Sequence, residues 1–200
     1  MNIHEKRSIN SYNKKADNYD STFDGKFTYH FKEMLQQIIV VPNEGKVLDI
    51  ACGNGRLLQM LSQNHRFLGY GTDISEKMVE NARQMNPSMI FQKATCDSLP
   101  FETNFFDVVT VCAAFHHFPD INSFAKEVYR ILKPNGMLYV AEVYYPALIR
   151  MIFNPLVKLS RDGDVKFYAP DEITGLFRNT GFTNELFKKE GHIQIIAVRK

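Results

Sequence analysis

The chain has 200 residues, with Lys+Arg 24 against Asp+Glu 22, a formal net charge of +2, 44% hydrophobic residues and 23% charged. That length suits one domain with a real core, and so even a charge balance excludes a strong field toward nucleic acid or an anionic membrane. The three cysteines, Cys52, Cys96 and Cys112, sit in apolar runs at no zinc spacing, which points to free thiols in a reducing, cytoplasmic compartment.

In chain order, the N-terminal MNIHEKRSIN has no apolar signal core. Residues 1–42 predict a cap of two helices joined near Asp24-Gly25. From Lys46 onward strands and helices alternate. Lys46–Ile50 is a strand, Arg56–Ser62 a helix, Phe67–Asp73 a second strand. Ser75 caps a helix that shows Met78, Val79 and Ala82 on one face, and Pro87 closes it. Met89–Ala94 is the third strand. Phe106–Val111 is nearly all apolar, as a strand buried on both faces should be. Ile121–Leu132 is helical, Pro134-Asn135-Gly136 turns the chain, and Met137–Val143 is the fifth strand.

Beyond it, Leu148–Leu159 is too short and, with Arg150, Asn154, Pro155 and Lys158, too polar for stable membrane insertion. Ala147–Ser160 and Pro170–Thr180 read as helices, the second closed by Gly181. Glu185–Lys189 and His192–Arg199 read as a hairpin turning at Gly191. The pattern predicts a single α/β domain with helices on both faces of a largely parallel sheet. Its parts are a helical cap (1–42), a cofactor-binding core (46–145), substrate-side helices (146–182) and a C-terminal hairpin (183–200).

Ligands of such sheets bind beyond the carboxyl ends of the strands, so the residues after each strand carry the chemistry. VLDIACGNGRLL, Val47 to Leu58, runs from a strand through Gly53-Asn54-Gly55 into a helix. Glycines there let the backbone bend and approach a ligand. Leu58 stands where dinucleotide folds carry a third glycine. Asp73 ends the second strand, where an acid can accept both hydroxyls of a ribose; a helix-capping role is the alternative. Asp97, with the backbone of Cys96 and Ser98, could read an adenine edge, or could simply make a turn.

The ordered set VLDIACGNG, GTDIS, ATCDSLPF, FDVVTVCAAFHHF and LKPNGMLYVAE resembles the class I S-adenosylmethionine-dependent methyltransferases, in particular the small ubiquinone/menaquinone-biosynthesis-like branch. The likeness runs from about Tyr12 to Phe182. It implies a Rossmann-like three-layer sandwich with a seven-stranded, mostly parallel sheet whose last strand is antiparallel. It implies S-adenosylmethionine as cofactor and in-line methyl transfer to a small-molecule acceptor. Asp49, Ala51, Gly53 and Gly55 would line the methionine end. Asp73 would hold the ribose, with Ile74 and Met78 beside the adenine and Cys96, Asp97 and Ser98 on its edge. Cys112 and Ala113 would face the sulfonium, and Tyr12 and Tyr19 would close over the cofactor. Cys52 and Asn135 depart from the family pattern, where small residues and glycine are usual.

His116 and His117 follow the fourth strand; either suits a general base, and packing against the ligand is the competing reading. Glu142 would face the substrate or serve as a buried structural carboxylate. Tyr29, His30, Phe31, Arg150, Arg161 and Tyr168 belong to segments expected to cover the pocket, with core aromatics and surface arginines as the alternative. Rival functions are a protein that binds the cofactor without methyl transfer, an enzyme using it otherwise, and a nicotinamide-dependent oxidoreductase. A metal site is set aside, because two adjacent histidines show no third ligand at a useful spacing. A monomer or homodimer without a nucleic-acid partner is expected.

Overall fold

The computed structural model describes residues 2–157 and 159–200. One sheet is formed by β1 (Gly45–Ile50), β2 (Phe67–Asp73), β3 (Ile90–Lys93), β4 (Phe106–Cys112), β5 (Leu132–Val143), β6 (Thr183–Glu190) and β7 (Ile193–Arg199), in the order β3-β2-β1-β4-β5-β7-β6. The first five pair in parallel, and β7 runs antiparallel to β5 and β6. Parallel neighbours require crossovers, which α3 (Arg56–Ser62), α4 (Glu76–Met85) and α5 (Ile121–Ile131) help to make.

The period-2 alternation of strand side chains produces two cores. Leu48, Ile50, Val109, Val111, Leu138 and Val140 face α5 and α7 (Pro170–Thr180). Val47, Val108, Tyr139 and Ala141 face α3, α4 and α2 (Phe23–Ile38). Helix formation follows local signals. Ser75 Oγ accepts from Met78 N to cap α4, and the Asp120 carboxylate accepts from Asn122 N and Ser123 N to cap α5. Phe124, Ala125, Val128 and Ile131 then form the buried stripe of α5. Each such large apolar side chain contributes roughly 1.5–3 kcal/mol by burial. Gly181, at φ 110°, ends α7.

Three boundaries differ from the sequence expectation. The cap is α1 (Ile3–Lys15), a 3-10 segment (Ala16–Ser21) and α2, so the joint lies before Asp24-Gly25. Thr22 is the stronger cap, its Oγ accepting from Gly25 N, and Gly25 is small because a Cβ there would meet Tyr19 O at 2.0 Å. Second, Pro134-Asn135-Gly136 is an irregularity within β5, not a break before it; pairing with β4 shifts register between Phe106 and Val108. Third, α6 spans Ala147–Val157, and Lys158 of the longer expected helix lies outside the described residues. Helix α6 turns Arg150 and Asn154 inward onto the backbone of Tyr145 and Phe167 and leaves Leu148, Met151, Ile152 and Phe153 exposed. Among the described residues no helix is long and apolar enough to cross a membrane.

Candidate active site

A cavity with about 950 Å³ of atom-free space, partly open to solvent, lies beyond the carboxyl ends of β1 to β4 and beneath α1 and the 3-10 segment. The bend after β1 shapes its floor. Ala51 (φ 56°), Gly53 (φ 52°) and Gly55 (φ 79°) are all left-handed, as is Ala113 (φ 52°) after β4. Left-handed alanines store backbone strain at a place where the chain must turn abruptly toward a ligand. A Cβ on Gly53 would meet nothing within 4 Å, so its backbone faces open space.

Asp73 is buried at the cavity wall; its Oδ2 accepts from Gly53 N at 2.9 Å and its Oδ1 from Ser75 N at 2.8 Å. Burial raises its carboxyl above the ordinary range, while these backbone donors work the other way. Asp49 is also buried; burial pushes it up to about 7 although Thr110 Oγ1 donates to it at 2.7 Å. Tyr12 and Tyr19 form the roof, their phenols raised by burial, Tyr19 to about 12. Ile74, Met78, Cys96, Cys112, Ala113 and His117 complete the expected lining that the fold brings together.

Other expected residues stand elsewhere. Gly55 faces Asn86, Ala82 and Phe91 and serves packing, not lining. Asp97 and Ser98 are outside the lining, because a turn that bridges Thr95 to Ser98 leaves only Ala94, Thr95 and Cys96 on the cavity. Tyr29 and His30 sit on the exposed face of α2, where His30 pairs with Glu33 at 3.0 Å. Phe31 is core, Arg161 is exposed, and Arg150 donates to Tyr145 O at 2.5 Å. Tyr168 packs on Phe115 at 5.1 Å between ring centroids, inside the core that faces α5 and α7. Glu142 is fully buried, and the group it meets is His116.

One cavity-lining group and three organising acids have no local sequence signal. Lys32, buried on α2, points into the cavity and donates to Thr28 Oγ1 at 2.9 Å. Asp20 accepts from Asn54 at 2.8 Å and pairs with Arg56, tying the roof to the glycine bend. Asp162 binds Lys15 at 2.7 Å and accepts from Ser11, clamping α1. Asp164 lies 2.9 Å from His117 Nδ1 and 3.6 Å from His116 Nε2. It supplies the third ligand atom whose absence from the local sequence had set a metal site aside.

The histidines are therefore networked. Tyr12 OH is 2.9 Å from His117 Nε2, and His116 Nδ1 donates to Glu142 Oε1 at 2.7 Å. Burial, then the neighbouring His116, lowers the His117 value; burial opposes but Glu142 and Asp164 raise that of His116. Asp164 is held down to about 2 by the imidazoles, against burial.

The fold and this cavity define a Rossmann-like α/β domain with a pocket over the carboxyl ends of its first strands. Residues 48–140 match the family described as a methyltransferase domain. It is 32% identical over 149 residues to the ubiquinone/menaquinone biosynthesis C-methyltransferase UbiE of Rickettsia typhi, an alignment covering 66% of this chain and 59% of that protein. The chain thus spans about six-tenths of that relative's length. It is 36% identical over 105 residues to the 2-methyl-6-phytyl-1,4-hydroquinone methyltransferase of a Synechocystis species, covering 51% of this chain and 33% of the relative. In structure it is similar to a chain in the "complex between the Haloferax volcanii Trm112 methyltransferase activator and the putative methyltransferase", with a TM-score of 0.84, 20% identity, and 94% of this chain and 96% of that one covered.

Proposed function

We propose that the chain is an S-adenosylmethionine-dependent methyltransferase acting on a small-molecule acceptor, working in the cytoplasm as a monomer or homodimer. The observation that carries the reading is the buried Asp73 carboxylate set against the Gly53 bend inside one cavity. That carboxylate suits two ribose hydroxyls, and the open space over Gly53 suits close approach of a ligand. Asp49 and Lys32 offer opposite charges for the amino and carboxylate groups of a methionine moiety. Ile74 and Met78 supply an apolar surface for the base. Bound there, the cofactor's sulfonium presents an electrophilic methyl group.

The chain's own work is orientation and exclusion of water, worth about 7–11 kcal/mol when alignment is good. Tyr12 and Tyr19 shut the roof, and His117, hydrogen-bonded to Tyr12, lines the same cavity. The names of the relatives make an aromatic quinol the acceptor class to try first.

A thermal-shift comparison of S-adenosylmethionine, its demethylated product and NAD tests the reading. Ligand at 100 times its Kd adds about 2.7 kcal/mol, so the first two should raise Tm and NAD should not. Loss of charge-assisted hydrogen bonds in Asp73→Ala should weaken S-adenosylmethionine about 10- to 100-fold by calorimetry; unchanged affinity removes the ribose role.

A further inference from the structure

We propose that His116 Nε2, His117 Nδ1 and Asp164 Oδ1 form a binding site for a divalent transition-metal ion of the zinc type at the wall of the cavity. Three observations carry it. The three ligand atoms lie within 4.8 Å of one another. Asp164 Oδ1 stands 2.9 Å from His117 Nδ1 and 3.6 Å from His116 Nε2. Bonds of zinc to nitrogen and oxygen of roughly 2.0–2.2 Å in a tetrahedral shell put neighbouring ligand atoms roughly 3.3 Å apart, and the two distances bracket that spacing.

The outer nitrogens are already engaged. His116 Nδ1 meets Glu142 Oε1 at 2.7 Å, and the Glu142 carboxylate also accepts from the His116 backbone N at 3.2 Å. His117 Nε2 meets Tyr12 OH at 2.9 Å. A carboxylate or hydroxyl on the far nitrogen fixes the ring and leaves the near nitrogen's lone pair for the ion, as metal-bound histidines generally require.

The third observation is an orphan. His117 Nδ1 is buried with no aligned hydrogen-bond partner, although a carboxylate oxygen lies beside it. An Asp–His pair built to orient a base would align that bond. Electron-rich atoms that converge without alignment call for a cation between them. Of the three, only His117 lines the cavity; its Nδ1 is buried, so the ion would sit behind the cavity wall, and its binding does not depend on the methyl-transfer reading.

The test is a cobalt(II) titration of the chelator-stripped, full-length wild-type chain, followed by its visible absorption and by competition with zinc. One ion per chain should bind with the intense bands of a low-coordinate site. Asp164→Asn and His116→Gln should each lose at least about 10-fold in affinity, and Glu142→Gln about 10- to 100-fold, with far-UV circular dichroism unchanged. A wild-type chain that takes up no stoichiometric cobalt overturns the proposal without reference to any variant. Equal cobalt binding by folded Asp164→Asn also overturns it, since the ion then sits elsewhere. Lost turnover in Asp164→Asn with no metal in the wild type would leave a proton relay in its place. The S-adenosylmethionine thermal shift reports separately on the methyl-transfer reading, so either can fail alone.

Discussion

Asp49 shows how one buried side chain couples the site to stability. Its folded value of about 7 lies above the ordinary 3.8. The protonated form therefore stabilises the fold at low pH, and that contribution is lost as pH rises through about 7. The slope between the two values is about 1.4 kcal/mol per pH unit. Urea denaturation of Asp49→Asn across roughly pH 5 to 7 should show a shallower loss of stability than the wild type. Parallel curves would mean that Asp49 ionises normally in the folded chain. A cationic ligand group beside Asp49 would favour its ionised form, so binding near neutral pH should release a proton, visible as buffer-dependent calorimetric heat.

At the scale of elements, the two glycines of the bend should answer differently to alanine. Gly55, at φ 79°, would place a Cβ 2.7 Å from Asn86 Nδ2 and 3.2 Å from Ala82 Cβ. Gly55→Ala should cost about 1–3 kcal/mol, a fall in Tm of several degrees. Gly53→Ala bears only the left-handed backbone cost, about 1–2 kcal/mol, but its methyl enters the cavity; affinity should suffer more than stability. If calorimetry and thermal melts rank the two variants the other way, the assigned roles are reversed. Helix α6 makes the opposite case. Met151 is 69% exposed and Ile152 60%, on a helix whose polar residues point inward. Lysine at both positions should leave stability within about 0.5 kcal/mol while reducing binding of an apolar dye; a large drop in Tm would show that these side chains are covered in the folded chain.

Across the whole molecule, α2 joins the cap to the sheet through an apolar core, with Phe31, Leu35 and Ile39 packed among Val47, Val108 and Tyr139, whereas α1 and the 3-10 segment are held by polar clips. Asp162 holds Lys15 and Ser11, Asp20 holds Asn54 and Arg56, and Ser75 Oγ donates to Asn13 at 2.6 Å. Exposed ion pairs contribute about 0–1 kcal/mol each, so Asp162→Ala should barely move global Tm. It should, however, speed hydrogen exchange along α1 and weaken ligand binding, because the cap forms the cavity roof. Exchange in α1 as slow as in β4 would show that the clip is dispensable. How much of this was legible in the sequence depends on distance along the chain. The alternation of strands and helices, the glycine bend and Asp73 at the end of β2 were readable, because period, capping and spacing are local consequences of backbone geometry. So were most residues that follow a strand, since a parallel sheet gathers its carboxyl ends on one side. Asp97 and Ser98 were expected on the cavity and are turned off it by a tight turn that composition does not reveal. Lys32 on α2, and Asp162 and Asp164 between α6 and α7, take their meaning from partners far away in sequence. Only the packing of the cap and that loop onto the sheet decides that Asp164 stands beside two histidines, because no local rule links residues that meet solely through folding.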